Sequence, residues 1–169
     1  MKHYIIEGID GIGKSMLVNG LEQRLCGFTS IHFTKPNDNI SDKENYQITV
    51  YKSFMKILQT NIRTIYDRFH LSEMVYALMY RGYDAKIVRS LECNMLSCIE
   101  DLKLILLITD DFSILKDDGK SHDFLRAKEE QIKFLENFKN SSIKNKVIIN
   151  VMKKDKRKSV EELVGEILR

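Results

Sequence analysis

Gly8-Ile9-Asp10-Gly11-Ile12-Gly13-Lys14-Ser15 carries its glycines, lysine and hydroxyl residue at the spacing G-x-x-x-x-G-K-[ST]. A run of this kind holds polyphosphates. Glycines let successive backbone N–H groups turn inward around an anion, and the N-terminus of a following helix adds its partial positive charge. Lys14 is then placed to reach β- and γ-phosphates, and the Ser15 hydroxyl to ligate Mg²⁺. A second group, Asp67-Arg68-Phe69-His70-Leu71-Ser72, follows an apolar run and opens a helical one. An acid at the end of a buried strand beside such a loop holds magnesium water or an attacking oxygen. The neighbouring arginine can grip a second phosphate through two parallel hydrogen bonds. His70 is expected to pack or hydrogen-bond, since phosphoryl transfer needs positioning and charge more than a titrating base.

Short apolar runs alternating with longer amphipathic ones must position these groups. Tyr4-Ile5-Ile6 is a strand feeding the glycine-rich turn, and Ser15 to Leu25 a helix with Leu17, Val18, Leu21 and Leu25 on one side, stopped near Gly27. Strands are expected at Ser30 to Thr34, Ile62 to Tyr66, Leu102 to Thr109 and Lys146 to Val151. Helices are expected at Glu44 to Gln59, Ser72 to Arg81, Ala85 to Cys98, Asp123 to Lys139 and Ser159 to Arg169. The helix from Asp123 offers Phe124, Ile132, Leu135 and Phe138 for burial. Ser159 and Glu162 form a capping box. The basic run Lys153-Lys154-Asp155-Lys156-Arg157-Lys158 could touch phosphates, but the favoured expectation is a solvated loop between strand and helix. Strand–helix alternation gives an α/β fold: one domain over 1–169 with a central parallel sheet of about five strands and helices on both faces.

Composition narrows the function. With 169 residues, 43% hydrophobic and 30% charged, the chain can build a core without disulfides or metals. The 27 basic and 24 acidic residues leave only +3, and basic residues interleaved with aromatics are missing, so nucleic acid is not expected as a partner. The three cysteines, Cys26, Cys93 and Cys98, lack metal-ligand spacing and suggest reduced thiols in the cytoplasm. No apolar stretch approaches the roughly 18 residues of a spanning helix, so no membrane partner is expected. A phosphate-binding loop is shared by GTPases, motor ATPases and small-molecule kinases. An NKxD-type base-reading sequence is missing, and so little chain remains beyond the loop that a compact phosphotransferase is the economical choice.

The two motifs together resemble thymidylate kinases, most closely the short phage-encoded members of that P-loop nucleoside monophosphate kinase superfamily. Ile6 through Ser15 is similar to the family's [FI]-E-G-x-D-G-x-G-K-[ST], and Asp67 through Ser72 to its D-R-[YF]-x-x-S, with Tyr76 at the place of a downstream tyrosine. The resemblance implies ATP- and Mg²⁺-dependent transfer of the γ-phosphoryl group to a deoxynucleoside 5′-monophosphate, foremost dTMP, by a cytoplasmic enzyme that can form a homodimer. ATP would lie against Gly8, Ile9, Asp10, Gly11, Ile12, Gly13, Lys14, Ser15 and Met16, and Mg²⁺ at Ser15 and Asp67. Lys14, Asp67 and Arg68 would be catalytic, with Asp10 facing the acceptor's sugar and Arg68 its 5′-phosphate. Glu7, Lys35, Ser72 and Tyr76 complete the acceptor side. Phe54 is a candidate for stacking on the base, with core packing as its alternative. The chain departs from the family pattern at Thr34-Lys35-Pro36, where R-E-P is usual, and at Ala77, where glutamine is common. Because Gly11 leaves the loop without a basic residue before Gly13, the resemblance implies a lid over 110–126 that supplies Arg126, or failing it Lys116 or Lys120. Deoxynucleoside kinases and a nucleotide-binding regulator without turnover are the competing classes.

Overall fold

A computed structural model describes residues 1–37, 39–115 and 124–169. Strands β1 (His3–Glu7), β2 (Thr29–His32), β3 (Thr64–Asp67), β4 (Leu102–Ile108) and β5 (Lys146–Asn150) form a parallel sheet in the order β2-β3-β1-β4-β5. Every residue of β1 and β3 is buried, whereas the edge strands β2 and β5 are largely accessible. Parallel neighbours require crossovers of a dozen residues or more, which the intervening amphipathic segments supply as helices. These are α1 (Lys14–Arg24), α2 (Lys43–Ile57), α3 (His70–Tyr76), α4 (Lys86–Leu91), α5 (Ala127–Lys139) and α6 (Val160–Ile167). Helices α1 and α6 pack together, while α3 packs with α4 and α5, so the sheet is covered on both faces. The α1–α6 approach is close at Gly20, where a Cβ would lie 2.3 Å from Val160 Cγ1.

The chain leaves β1 towards β3 and β2 on one side, and later fills β4 and β5 on the other. The crevice at the carboxyl end of β1 is therefore the point where strand order reverses, the usual ligand position in open α/β sheets. Register places Ile6 opposite both Asp67 and Ile105, and His32 opposite Asp67. Glu7, Asp67 and His32 thus finish their strands at one end of the sheet.

Several expected boundaries shift. Strand β3 reaches Asp67 rather than ending at Tyr66, and β2 ends at His32. Helix α3 begins at His70 and widens into a π-type turn at Ala77–Arg81, and α4 does the same at Glu92–Leu96. Such turns take up one extra residue and redirect side chains, and propensity does not reveal them. Helix α5 starts at Ala127 after a 3₁₀ turn, and its buried face is Ala127, Glu130, Phe134 and Phe138. Ile132, expected inside, is 51% exposed because the helix phase puts Phe134 there instead. The basic run is exposed from Lys153 to Lys156 as expected, but it forms a short hairpin of β6 (Met152–Lys153) and β7 (Lys156–Arg157) rather than an irregular loop. Pairing of Met152 with Arg157 turns that arginine back towards the phosphate loop. The capping box forms as the sequence suggests: Ser159 Oγ accepts from Glu162 N, and Ser159 N donates to Glu162.

Candidate active site

Gly8 has φ of +143°, and a Cβ there would fall 2.7 Å from the carbonyl oxygen of Leu107, so only glycine lets the chain turn this close to β4. Gly13, with φ of +100°, precedes α1, whose first turn has no side-chain cap. The unpaired N–H groups of that turn face the loop, an arrangement suited to phosphate. Lys14 is 4% exposed; its Nζ donates to the carbonyls of Gly8 at 2.8 Å and Ile9 at 2.7 Å, and lies 3.7 Å from Asp10 Oδ1. Burial, seconded by the neighbouring Arg68 charge, lowers its pKa to about 8. The side chains of Ile9 and Ile12 are buried in the core, so those residues face the loop with backbone only. Met16 is exposed on α1.

The second motif is clamped from below. Glu7, fully buried, accepts from the backbone N–H of Phe69 at 3.0 Å and of Leu71 at 2.9 Å through Oε1, and from Ser72 Oγ through Oε2. Burial raises its pKa against the charge of His70 and these hydrogen bonds. Glu7 and Ser72 therefore bind each other and fix the turn between β3 and α3. On that turn Arg68 adopts φ of +67°, a conformation that costs a non-glycine residue about 1–3 kcal/mol. The turn directs its Nη2 to 2.7 Å from Asp10 Oδ1, which also accepts from Tyr76 OH at 3.1 Å. Arg68 Nε is buried without a hydrogen-bond partner among the described residues. Lys14, Asp10, Arg68 and Tyr76 thus meet where the loop faces α3.

Asp67 joins the two motifs. Its Oδ2 accepts from Ser15 Oγ at 2.6 Å and lies 3.0 Å from His32 Nδ1, while Oδ1 is buried with no hydrogen-bond partner among the described residues. A hydroxyl and a carboxylate with an unsatisfied oxygen are the hard donors Mg²⁺ prefers, so these residues fit the ion. No group of three or more His, Cys, Asp or Glu among the described residues forms a metal cage. Two protein ligands, with nucleotide oxygens and water completing the shell, match magnesium's habit.

Beyond Arg68 a small cavity is lined by Phe33, Thr34, Lys35, Ser72, Tyr76 and Arg81, among others. Phe33, Thr34 and Lys35 also border a cavity of about 500 Å³ that includes Phe54. Phe54 meets Phe33 edge-on at 4.9 Å and packs against the aromatic core. At the floor of the small cavity Glu73 accepts from Gln47 at 3.2 Å and Tyr51 at 3.4 Å, and from Arg81 and Tyr83. His70 is fully buried with Nε2 3.5 Å from Glu92 Oε2; Glu92 Oε1 accepts from Ser141 Oγ and Ser142 N. Burial works against the Glu92 carboxylate, but His70 and these hydrogen bonds bring its pKa down to about 2.

Of the expected lid, Lys116 and Lys120 lie outside the described residues. Arg126 is partly exposed, bonded to Glu129 at 3.0 Å and placed over the ring of Tyr80 at 5.0 Å. Sequence reasoning missed His32, Glu73 and Arg81. His32 becomes visible only through its register with Asp67, and the π-type turn that brings Arg81 back to Glu73 leaves no local signature.

No family model matches the chain, and no curated protein matches it by sequence. Among solved structures it is similar to the YorR protein of Bacillus subtilis in complex with phosphorylated GDP, at 17% identity and a TM-score of 0.65 over 98% of this chain and 93% of that one. Thymidylate kinase from Candida albicans matches at 18% identity and a TM-score of 0.58 over 99% and 89% of the two chains. Deoxyadenosine kinase from M. mycoides, with dCMP and dCDP bound as products, matches at 15% identity and 0.59 over 98% and 96%. The chain has the P-loop nucleotide kinase fold.

Proposed function

We propose that the protein transfers the γ-phosphoryl group of ATP to a deoxynucleoside 5′-monophosphate, with dTMP the first acceptor to try. One observation carries the choice of a monophosphate. Arg68, held in a strained backbone conformation, brings a guanidinium with a buried, unpartnered Nε to the gap between the phosphate loop and the cavity. That is a second phosphate-gripping group, separate from Lys14.

In this mechanism Lys14 and the backbone N–H groups at the start of α1 bind the donor's terminal phosphates. Arg68 orients the acceptor phosphate, with Lys35 at the cavity wall, and Asp10 with Tyr76 lies beside the acceptor's sugar. Ser15 and Asp67 hold magnesium, which when bound neutralises charge on the transferring group. Little covalent work is left to the protein, so positioning and electrostatic stabilisation carry the rate. Arg126 belongs to this mechanism as the lid arginine, exchanging Glu129 for the donor's phosphates; Arg126→Ala should then reduce kcat by about 10³-fold. The resemblance to thymidylate kinases also implies a homodimer, which sedimentation would test.

The fold neighbours include a thymidylate kinase and a deoxyadenosine kinase, and both classes fit the scaffold. A panel of deoxynucleoside and ribonucleoside monophosphates, with the matching nucleosides, assayed with ATP and Mg²⁺ for ADP release, separates them. The expected result is turnover with a deoxynucleoside monophosphate. Turnover with nucleosides alone would replace the proposal by a nucleoside kinase.

A further inference from the structure

The basic hairpin of β6 and β7 has no part in the mechanism above, yet one of its residues touches the phosphate loop. Arg157 Nη2 donates to the carbonyl of Ile12 at 2.7 Å, and Nη1 to the carbonyl of Ile114 at 3.4 Å. Its guanidinium lies so close to Gly13 that a Cβ built there would fall 2.3 Å from Nη2. Both partners are neutral carbonyls, and no ion pair to a carboxylate involves this arginine among the described residues. A guanidinium has five N–H donors, of which these bonds use two. Among the described residues, one positive charge and the remaining donors are therefore uncompensated at the edge of a loop whose own basic residue is Lys14.

The hairpin that carries Arg157 is braced. Met152 pairs with Arg157, Lys158 N donates to the carbonyl of Val151 at 2.8 Å, and the capped helix α6 follows directly and packs on α1 at Gly20. The arginine is thus tied to α1 and the loop rather than to the acceptor cavity. Asp10, which neutralises part of the charge at Arg68 and Lys14, lies with Tyr76 on the other side of the loop.

We infer that Arg157 is a donor-side binding residue that recognises the polyphosphate of a nucleoside triphosphate through its charge, using the carbonyl of Ile12 as its anchor. It supplies, from the far end of the same chain, a positive charge that Gly11 does not provide within the loop. This inference rests on the ATP-dependent proposal only for the identity of the donor; its test reads binding, not turnover.

The experiment measures the affinity of Mg·ATP and of the best acceptor monophosphate for three proteins: wild type, Arg157→Gln and Arg157→Lys. Gln keeps an N–H donor for the Ile12 carbonyl and removes the charge; Lys keeps the charge. The expected result is that Arg157→Gln weakens Mg·ATP about 10- to 100-fold and flattens its dependence on ionic strength. Arg157→Lys should recover most of that affinity, and acceptor binding should change less than about twofold in both. Equal affinity in all three proteins, or parallel weakening of both nucleotides in both variants, would overturn the inference. Loss of the folded state in either variant would overturn it too, since the guanidinium would then be a prop for the loop. If wild type binds Mg·ATP but phosphorylates no acceptor in the panel, the proposed reaction fails while this measurement still decides the role of Arg157.

Discussion

The two sides of the phosphate loop are built on opposite plans. Towards α3, charge is balanced inside the protein. Asp10 joins Lys14, Arg68 and Tyr76, while Glu7 clamps the turn that carries Arg68 and Glu73 gathers four donors on the cavity floor. Towards the hairpin, Arg157 meets backbone carbonyls and, among the described residues, no carboxylate. The first plan suits a ligand read atom by atom, because a dense buried network holds each side chain in one geometry. The second suits a ligand recognised as charge, because an uncompensated guanidinium is attracted by any polyphosphate within reach. A kinase needs both: a common donor and a chosen acceptor.

Removing the group that the two sides share should strike both at once. Lys14→Ala is expected to lower kcat by about 10²–10³-fold, as for loss of a preorganised transition-state donor. Its melting temperature should hold, because burial already disfavours the lysine's charge. A coupled ADP assay and a melting curve on one preparation check both statements.

The next perturbation separates scaffold from site. Glu92→Ala removes the carboxylate that faces His70 and leaves the buried donors of Ser141 and Ser142 without their acceptor, which should cost about 2–5 kcal/mol of stability by urea unfolding. The pKa of Glu92 is about 2 in the folded protein against 4.5 without the fold. A lowered carboxylate pKa stabilises the fold above the unfolded value and loses that contribution as pH falls towards the folded one. The gap between wild type and Glu92→Ala should therefore be full at pH 7 and narrow between about pH 4.5 and 2. A gap of constant size would mean that the charge of Glu92 contributes nothing to the fold.

Two smaller changes sharpen the acceptor side. Arg68→Lys keeps the charge but loses the fork, so kcat/KM for the acceptor should fall about 10- to 100-fold with Mg·ATP affinity unchanged. Equal losses for both nucleotides would shift Arg68 to the donor side. Tyr76→Phe removes one hydrogen bond to Asp10 and should raise the acceptor's KM about two- to tenfold, a steady-state measurement in which no change would leave Tyr76 to packing.

How much of this is legible in the sequence follows from the range of each interaction. The phosphate loop is local: eight consecutive residues state the turn, the lysine and the hydroxyl, and the strand before them states where they sit. Asp67 and Arg68 are legible for the same reason, as a polar pair ending an apolar run. The sheet of five parallel strands follows from alternation, and the structure has it. His32 and Arg157 are not legible. The first matters through β2–β3 register, and the second crosses 145 positions to reach Ile12. A run rich in lysine looks like a solvated loop because composition says nothing of a two-residue pairing that points one side chain inward. The exposure of Ile132 has a similar cause: the phase of α5 is set by where the helix starts, a tertiary matter.

The central claim is that one phosphoryl group crosses from a donor held by the loop to a phosphate held by Arg68. ATP labelled at its γ-phosphorus, incubated with Mg²⁺, the protein and an equimolar mixture of dTMP, dGMP, dCMP, dAMP and their nucleosides, tests it in one chromatogram. The account predicts label in a deoxynucleoside diphosphate, absent when Arg68→Ala replaces wild type. Label recovered only as inorganic phosphate or only in a monophosphate would contradict it.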